Sequence, residues 1–241
     1  MSASWSVPSR PDVGVVVLAA GRSRRAGGDV PKQFREVAGV PVLLRALRPF
    51  LAHPDVGRVV AVVPEDVAAA PPAWLAPFIG DRLRLTGGGD RRADSVDRGL
   101  EALGVEWPIV AVHDGARPFV DPGVFDQLVS LARQGRAAIA AIPVSDTLKQ
   151  ASGAAGLPTV VRTVPREGLW RAQTPQVFPL ELLARALGAA RAGGHRPTDD
   201  AAAVEALGEP VVLVADRGTN FKITTPDDFL LAELLAARRL S

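Results

Sequence analysis

The stretch VVVLAAGRSRRAGGDVPKQF, residues 15–34, decides how the rest of this sequence is interpreted. It begins with an apolar, β-branched run, which is typical of a parallel strand that is buried on both faces. The Ala-Ala-Gly turn that follows leaves no side chain in the way of a phosphate group that approaches the backbone. Positive charge comes next, from Arg22, Arg24, Arg25 and Lys32. The pattern predicts a strand that ends in a loop for a strongly anionic ligand.

The use of lysine points to further functional positions. The 28 basic residues include only three lysines, Lys32, Lys149 and Lys222, and the others are arginines. Lysine is a compact point charge that arginine does not replace at a crowded phosphate site. We therefore expect a specific role for Lys32 and Lys222, whereas chance explains the position of Lys149 equally well.

Composition limits the class of protein. A chain of 241 residues with 47% hydrophobic content is suited to one α/β domain with a full core, and we expect a tail at residues 1–12 and a single domain at 13–241. The net charge of +2 argues against a nucleic-acid partner, and the absence of cysteine excludes disulfides and thiolate chemistry. With no apolar signal region and no run long enough to span a bilayer, we expect a cytoplasmic protein without a membrane partner.

Strand-like and helical patterns alternate along the chain, which predicts an α/β fold with a Rossmann-like, three-layer, mostly parallel sheet. The predicted strands are residues 13–19, 58–63, 83–86, 109–112, 137–142, 211–215 and 220–224. The predicted helices are residues 42–51, 93–103, 122–133, 181–192, 199–207 and 227–240.

The alternation breaks at residues 144–164, which we call the β-arm. Two short extended runs, 144–150 and 159–164, flank the small-residue turn ASGAAGLP. This pattern predicts a projecting hairpin, and its few large apolar residues cannot form a core alone. We expect the β-arm to pack against something else; a plain surface loop is the alternative.

Ligands of open α/β sheets bind outside the carboxyl ends of the strands. Four predicted strand ends carry glycine, aspartate, arginine or lysine, in segments 21–32, 87–95 (GGGDRRADS), 113–118 (HDGARP) and 220–224 (NFKIT). The dinucleotide, P-loop and nucleophile-elbow motifs are all missing. Cations and an aspartate without a protein nucleophile suit phosphoryl or nucleotidyl transfer, since an attacking phosphate oxygen needs no general base.

Seven segments resemble, in order and spacing, the 2-C-methyl-D-erythritol 4-phosphate cytidylyltransferases of the non-mevalonate isoprenoid pathway. They are AAGRSRRAGGDVPKQF, GGGDRRADSV, VHDGARPFV, VSDTLK, TVPREGLWRAQTPQVF, TDDAA and FKITTPDDFLLAE, and the resemblance runs from about residue 13 to 235. It implies a nucleotidyltransferase-type fold and a homodimer that is interlocked through the β-arm. It also implies Mg²⁺ or another divalent cation as cofactor, with CTP and a small phosphorylated polyol as substrates.

The resemblance also implies roles for individual residues. The implied catalytic residues are Arg25 and Lys32, around the triphosphate, with Arg166 and Lys222. The implied nucleotide-binding residues are Ala19, Ala20, Gly21, Gly89, Asp90, Arg92, Ser95, Asp114 and Gly115, and Asp114 is also the implied metal ligand. The implied acceptor-binding residues are Arg117, Thr147, Arg166, Thr174 and Lys222, with Thr147 and Arg166 offered by the partner's β-arm.

Some positions depart from the family pattern. Ser23 stands where the second glycine of the loop is usual, and Ala26 where methionine is frequent; serine still approaches a phosphate and donates a hydrogen bond. Gly115 stands where alanine is common, which we expect to be harmless.

Three alternative functions stay open at this point. They are a cytidylyltransferase for ribitol 5-phosphate, a nicotinamide-dependent oxidoreductase and a non-catalytic nucleotide-binding module. Outside the site we expect Asp199 to cap a helix, Trp170 to lie in the core, and His113 to be a hydrogen-bonded loop residue and not a base.

Overall fold

Strands and helices alternate in the computed structural model, which describes residues 11–21, 31–152, 157–194 and 197–238. The strands in these residues are β1 (Val13–Leu18), β2 (Glu36–Val37), β3 (Val40–Pro41), β4 (Val56–Val63), β5 (Leu83–Gly87), β6 (Ile109–Asp114), β7 (Ala137–Pro143), β8 (Leu148–Ser152), β9 (Thr159–Val164), β10 (Trp170–Pro179) and β11 (Val211–Ala215). The α-helices are α1 (Val42–Ala52), α2 (Glu65–Ala69), α3 (Arg92–Leu103), α4 (Pro122–Arg133), α5 (Leu180–Ala192), α6 (Asp200–Glu205) and α7 (Pro226–Arg238).

The central sheet has seven strands in the order β11-β7-β10-β6-β1-β4-β5. All neighbouring pairs are parallel except those of β10, which runs antiparallel to both β6 and β7. Leu18 lies beside Asp114 in the register of β1 with β6, and Val63 lies beside Gly87 in that of β4 with β5. The carboxyl ends of these four strands therefore meet at one edge of the sheet, and the predicted mostly parallel α/β fold is confirmed.

Helices cover both faces of this sheet. Successive residues of β1 point to opposite sides, and those on each side are apolar. Val15 and Val17 belong to the core cluster that includes buried residues of α1 and α4. Val16 belongs to the cluster formed with α3, α5 and α6. These valines are fully buried, and each such side chain contributes roughly 1.5–3 kcal/mol of hydrophobic free energy. The edge that carries the loops is thus held by a rigid three-layer core.

Four expectations about secondary structure and burial were wrong or incomplete. Strand β10 was not predicted, although it lies between β6 and β7. Residues 220–224 form no strand; Ile223 donates its backbone N–H to the carbonyl of Ala116 at 2.9 Å instead of joining the sheet. Trp170 is 38% exposed and does not lie in the core. His113 is the fifth residue of β6 and not a loop residue.

The β-arm contains the predicted hairpin, since β8 and β9 pair antiparallel. Strand β8 begins at Leu148 and not at Val144. Val160 is 56% exposed and its neighbour Val161 is 59% exposed. Adjacent residues of a strand point to opposite faces, so neither face of β9 is covered by the described part of its own chain.

Helix α7 supports the segment that follows β11. Phe229, Ala232 and Ala236 of this helix cluster with Ile223 and Phe119. Ile223 is fully buried, so its neighbour Lys222 is held at the same edge of the sheet as the loops after β1 and β6.

Candidate active site

The turn after β1 is held in shape by Gln33, a residue that the sequence analysis did not single out. Its Nε2 atom donates hydrogen bonds to the carbonyl oxygens of Ala19 at 2.7 Å and Gly21 at 3.1 Å. Gln33 is 3% exposed, and its neighbour Lys32 lines the cleft beside the turn. The buried glutamine therefore anchors both the turn and the residue that carries the adjacent positive charge.

Arg25 lies outside the described residues, as do Ser23, Ala26 and the arginines at 22 and 24. The predicted roles of these residues stay predictions.

The glycine-rich loop after β5 lies directly against the turn. A Cβ atom built on Gly88 would lie 2.1 Å from the Cβ of Ala20, so the two loops approach closely only because both residues are small. Ser95 accepts a hydrogen bond from the backbone N–H of Gly89 at 3.1 Å. The carboxylate of Asp94 accepts one from the backbone N–H of Arg91 at the start of α3. These contacts fix the loop that the family resemblance assigns to the nucleotide.

Arg92 reaches from the first turn of α3 to Asp200 of α6, where their side chains form an ion pair at 2.7 Å. Asp200 is 2% exposed. Burial raises the pKa of its carboxyl group, and the Arg92 guanidinium opposes that rise. The pair joins the glycine-rich loop to α6. Asp199 caps α6 by accepting the backbone N–H of Ala202 at 2.9 Å, as predicted.

Asp114, Arg117 and Lys222 form the charged centre of the site. Lys222 Nζ lies 2.9 Å from Asp114 Oδ2, and Arg117 Nε lies 3.8 Å from the same oxygen. Burial alone would raise the pKa of Asp114, but Lys222, Arg92 and Arg117 outweigh it and lower that pKa. Asp114 is therefore ionised at neutral pH and surrounded by cations.

A chain of hydrogen bonds supports Asp114 from below the surface. Its backbone N–H donates to Thr174 Oγ1 at 3.0 Å, and that hydroxyl lies 3.0 Å from His113 Nδ1. His113 Nε2 lies 3.0 Å from the carbonyl oxygen of Arg117. A carbonyl only accepts, so Nε2 carries the proton and Nδ1 accepts from the hydroxyl of Thr174. Burial lowers the pKa of His113 to about 4, which keeps the ring neutral.

Thr174 therefore differs in position from the other acceptor-binding candidates. It is 5% exposed, and its hydroxyl is engaged with His113 and Asp114. Its predicted direct contact with the acceptor stays a prediction, while its hydrogen bonds place it in the support of Asp114.

Arg166 and Thr147 lie apart from this centre, near the base of the β-arm. Both are exposed, and the Arg166 guanidinium donates to the backbone carbonyl of Ser145. Neither lines the cleft of its own chain. The expectation that they serve a second subunit stays a prediction.

The four predicted strand-end segments converge on one cleft of about 1100 Å³. That volume is slightly above the usual range of about 300–1000 Å³ for ligand pockets and leaves room for a nucleotide with a second small ligand. The predicted site residues that line it are Ala19, Ala20, Gly21, Lys32, Gly89, Asp90, Arg92, Ser95, Asp114 and Lys222. Gly115 lies close behind Ala19, since an added Cβ there would lie 3.1 Å from the Cβ of Ala19.

The donor set suits a divalent cation that is held mainly by substrate. No group of three or more histidine, cysteine or acidic side chains suited to a metal occurs in the described residues. Mg²⁺ is commonly bound through one or two carboxylates together with substrate phosphates. The ionised carboxylate of Asp114 fits that arrangement, because the cationic side chains that line the cleft would attract the substrate phosphates.

None of the helices within the described residues is long and apolar enough to cross a membrane.

Comparisons with known proteins agree with this geometry. The family model for 2-C-methyl-D-erythritol 4-phosphate cytidylyltransferase (IspD) matches residues 13–238. A curated protein of that name from Ralstonia nicotianae is 44% identical over 250 residues, which cover 96% of this chain and 95% of the relative. A crystal structure of the enzyme of that name from Thermus thermophilus is 39% identical with a TM-score of 0.77, and the match covers 94% of this chain and 99% of that one.

A bifunctional enzyme IspD/IspF from Desulfotalea psychrophila is 41% identical over 91% of this chain, and the matched region spans 55% of that longer relative. The family match covers nearly all of the present chain, and the two curated relatives are 41% and 44% identical to it. The chain therefore belongs to the 2-C-methyl-D-erythritol 4-phosphate cytidylyltransferase family.

Proposed function

We propose that the protein transfers the cytidylyl group of CTP to 2-C-methyl-D-erythritol 4-phosphate. A phosphate oxygen of the acceptor attacks the α-phosphorus of CTP, the bond from that phosphorus to the bridging oxygen breaks, and pyrophosphate leaves. The products are 4-diphosphocytidyl-2-C-methyl-D-erythritol and pyrophosphate. The observation that carries the proposal is the convergence of Lys32, Asp114 and Lys222 on one cleft with the glycine-rich loop.

The chemistry suits this set of residues. The main barrier is the repulsion between two anions and the charge that develops on the phosphates. Fixed cations lower this barrier. In the proposal, Lys32 and Arg25 stabilise the triphosphate, and Lys222 and Arg117 orient the acceptor. The buried, neutral His113 takes no proton from substrate, since none of the steps requires a base.

A divalent cation completes the proposal. Asp114 would hold Mg²⁺ together with phosphate oxygens of the substrate, and the ion would neutralise charge on those phosphates. The ionised state of Asp114 and its place at the cleft support this assignment.

We further propose that two copies of the chain form a dimer through the β-arm, in which Thr147 and Arg166 serve the partner's acceptor site. The exposure of both Val160 and Val161 supports this. We place the reaction in the cytoplasm, where nucleoside triphosphates are available.

Pyrophosphate release distinguishes this function from its alternatives. The full chain is assayed with each of CTP, UTP, ATP and GTP, and with either methylerythritol phosphate or ribitol 5-phosphate as acceptor. We expect release only with CTP and methylerythritol phosphate, because a site built for the cytosine amino group rejects a base with a carbonyl there. Equal turnover with UTP, or preference for ribitol 5-phosphate, would contradict the proposal.

A further inference from the structure

A buried group of hydrogen bonds is centred on Asn220, the only asparagine among the 241 residues. The side-chain Nδ2 atom donates to the carbonyl oxygen of Thr174 at 2.9 Å and to Asp216 Oδ2 at 2.7 Å. The backbone carbonyl of Asn220 accepts from Arg117 at 2.9 Å and from Gln173 Nε2 at 3.2 Å. Asn220 is 1% exposed. Four hydrogen bonds from one buried residue thus join three separate segments of the chain.

Only an amide fits this position. Both N–H groups of the side chain face acceptors, a backbone carbonyl and a carboxylate, so a carboxylate in place of the amide would set acceptor against acceptor. A shorter or apolar side chain would leave the carbonyl of Thr174 and the carboxylate of Asp216 without this donor.

The three segments joined at Asn220 are those that carry the charged centre of the site. Arg117 belongs to the loop after β6, three residues after Asp114, and its carbonyl oxygen accepts a hydrogen bond from His113. Thr174 lies on β10, where the pairing with β7 is irregular between Ala172 and Gln176. Lys222 follows Asn220 by two residues and contacts Asp114. Asn220 therefore stands between the residues that would hold the acceptor phosphate.

The arrangement is costly for the fold. The buried atoms without a hydrogen-bond partner in the described residues include Asn220 Oδ1, Gln173 Oε1 and Arg117 Nε. Buried polar atoms are usually paired, and departures from that rule concentrate at functional sites. The cluster is more readily explained by a demand of the site than by stability.

We propose that Asn220 is a positioning residue that sets the placement of Lys222 and Arg117 relative to one another, and thereby the binding of the phosphorylated acceptor. The inference rests on the proposed function. It concerns the acceptor side alone, because no hydrogen bond of Asn220 reaches the glycine-rich loop that faces the nucleotide.

The test is steady-state kinetics of Asn220→Asp in the full chain, with CTP affinity measured separately by calorimetry. We expect the KM for the acceptor to rise about tenfold or more, since misplacement by about 1 Å is enough for such losses, while the dissociation constant of CTP stays within about twofold of wild type. In the double variant Asn220→Asp/Asp216→Asn, the donor and the acceptor of one hydrogen bond are exchanged, so acceptor KM should recover in part.

Two further variants keep the test decisive. Asp216→Ala removes one of the two hydrogen-bond acceptors of the Asn220 side chain. Asp216 is half-buried, so we expect this variant to fold even if Asn220→Asp does not. The KM for the phosphorylated acceptor should rise, as in Asn220→Asp. Gln176→Met is the control. It removes a different buried amide, on β10, which contacts Asp199 and the backbone of Ala201. It should lower the Tm and leave the KM for the phosphorylated acceptor unchanged.

An unchanged acceptor KM in Asn220→Asp or, where that variant does not fold, in Asp216→Ala would overturn the proposal. An equal rise in Gln176→Met would also overturn it, because the effect would then be general destabilisation. Inactive wild-type protein with CTP and methylerythritol phosphate would instead refute the proposed function, so the two failures are distinct.

Discussion

At the scale of single residues, the site depends on buried side chains that hold its loops in place. Gln33 holds the turn after β1 with two hydrogen bonds to its carbonyls, and this places Lys32 at the cleft. Composition identified Lys32 and Lys222, because lysine is rare here. The same argument applied to asparagine would have identified Asn220, but a lone amide in a loop has no spacing that signals its partners.

Lys32→Ala tests the charge contribution directly. Removing one group that stabilises charge in the transition state lowers kcat on the order of a hundredfold or more, and we expect that loss with the Tm unchanged. Arg185→Ala is the control, since it removes an exposed positive charge on α5, which pairs with Glu209 away from the cleft. Near-normal turnover in folded Lys32→Ala would remove this residue from the catalytic set.

His113 gives the fold a specific dependence on pH. Its pKa is about 4 in the folded protein, below the ordinary value of 6.5. As the pH falls through 6.5 the unfolded chain binds a proton that the folded chain does not, so stability present above pH 6.5 is lost progressively down to about pH 4. Between pH 7 and pH 5, His113 should lower the free energy of unfolding by about 2 kcal/mol.

The measurement is the free energy of unfolding of wild type and His113→Gln at fixed protein concentration across that range. Wild type should lose about 2 kcal/mol more than the variant on going from pH 7 to pH 5. Parallel curves would show that His113 does not stay neutral in the folded state.

At the scale of elements, the sequence predicts secondary structure best where apolar residues form a continuous run or repeat with the period of a helix. The apolar strand β1, the apolar run 109–112 of β6 and the amphipathic helices α1 and α4 were located to within a few residues. Strand β10 was missed because Gln173, Thr174 and Gln176 interrupt its apolar pattern. These polar residues are buried through hydrogen bonds to Asn220, His113 and Asp199, and such tertiary partners have no local signature.

The prediction of a strand at residues 220–224 was wrong for the opposite reason. Its alternation of Phe221, Lys222 and Ile223 is that of a strand, yet the segment pairs with no strand in the part of the chain that the structure describes. Ile223 is buried under α7, and Lys222 faces the cleft, so the alternation reflects a core on one side and the site on the other.

The β-arm makes the clearest prediction about a single element. Deleting residues 152–158 and shortening both strands should give monomers by light scattering, because the deletion removes the surface that we assign to the partner. CTP binding should be largely kept, since the cleft residues of the nucleotide side come from one chain, whereas acceptor binding should be lost.

A pair of substitutions controls for the deletion. Val160→Asp/Val161→Asp places charges on both faces of β9 and should also weaken the dimer. Val105→Asp makes the same change at a valine that is 88% exposed outside the β-arm, and it should leave the oligomeric state unchanged. Dimers that survive the deletion would show that the β-arm is not the interface.

At the scale of the whole molecule, the proposal predicts two sites that each use two chains. Mixing inactive Lys32→Ala with inactive Arg166→Ala subunits should restore activity, up to roughly half of the wild-type level per mixed dimer, if subunits act independently. In such a dimer one site contains both lesions and the other contains none. If each site belonged to one chain, every site would carry a lesion, so a fully exchanged mixture without activity would refute the shared site.

The most direct test of the account follows the atoms of CTP. CTP labelled in the α-phosphate or in the γ-phosphate is incubated with the full chain, Mg²⁺ and methylerythritol phosphate, and the products are separated. The account predicts that the α-label appears in a cytidine-containing product of the acceptor and the γ-label in pyrophosphate. Transfer of the γ-label to the acceptor, or no acceptor-dependent release of pyrophosphate, would contradict it.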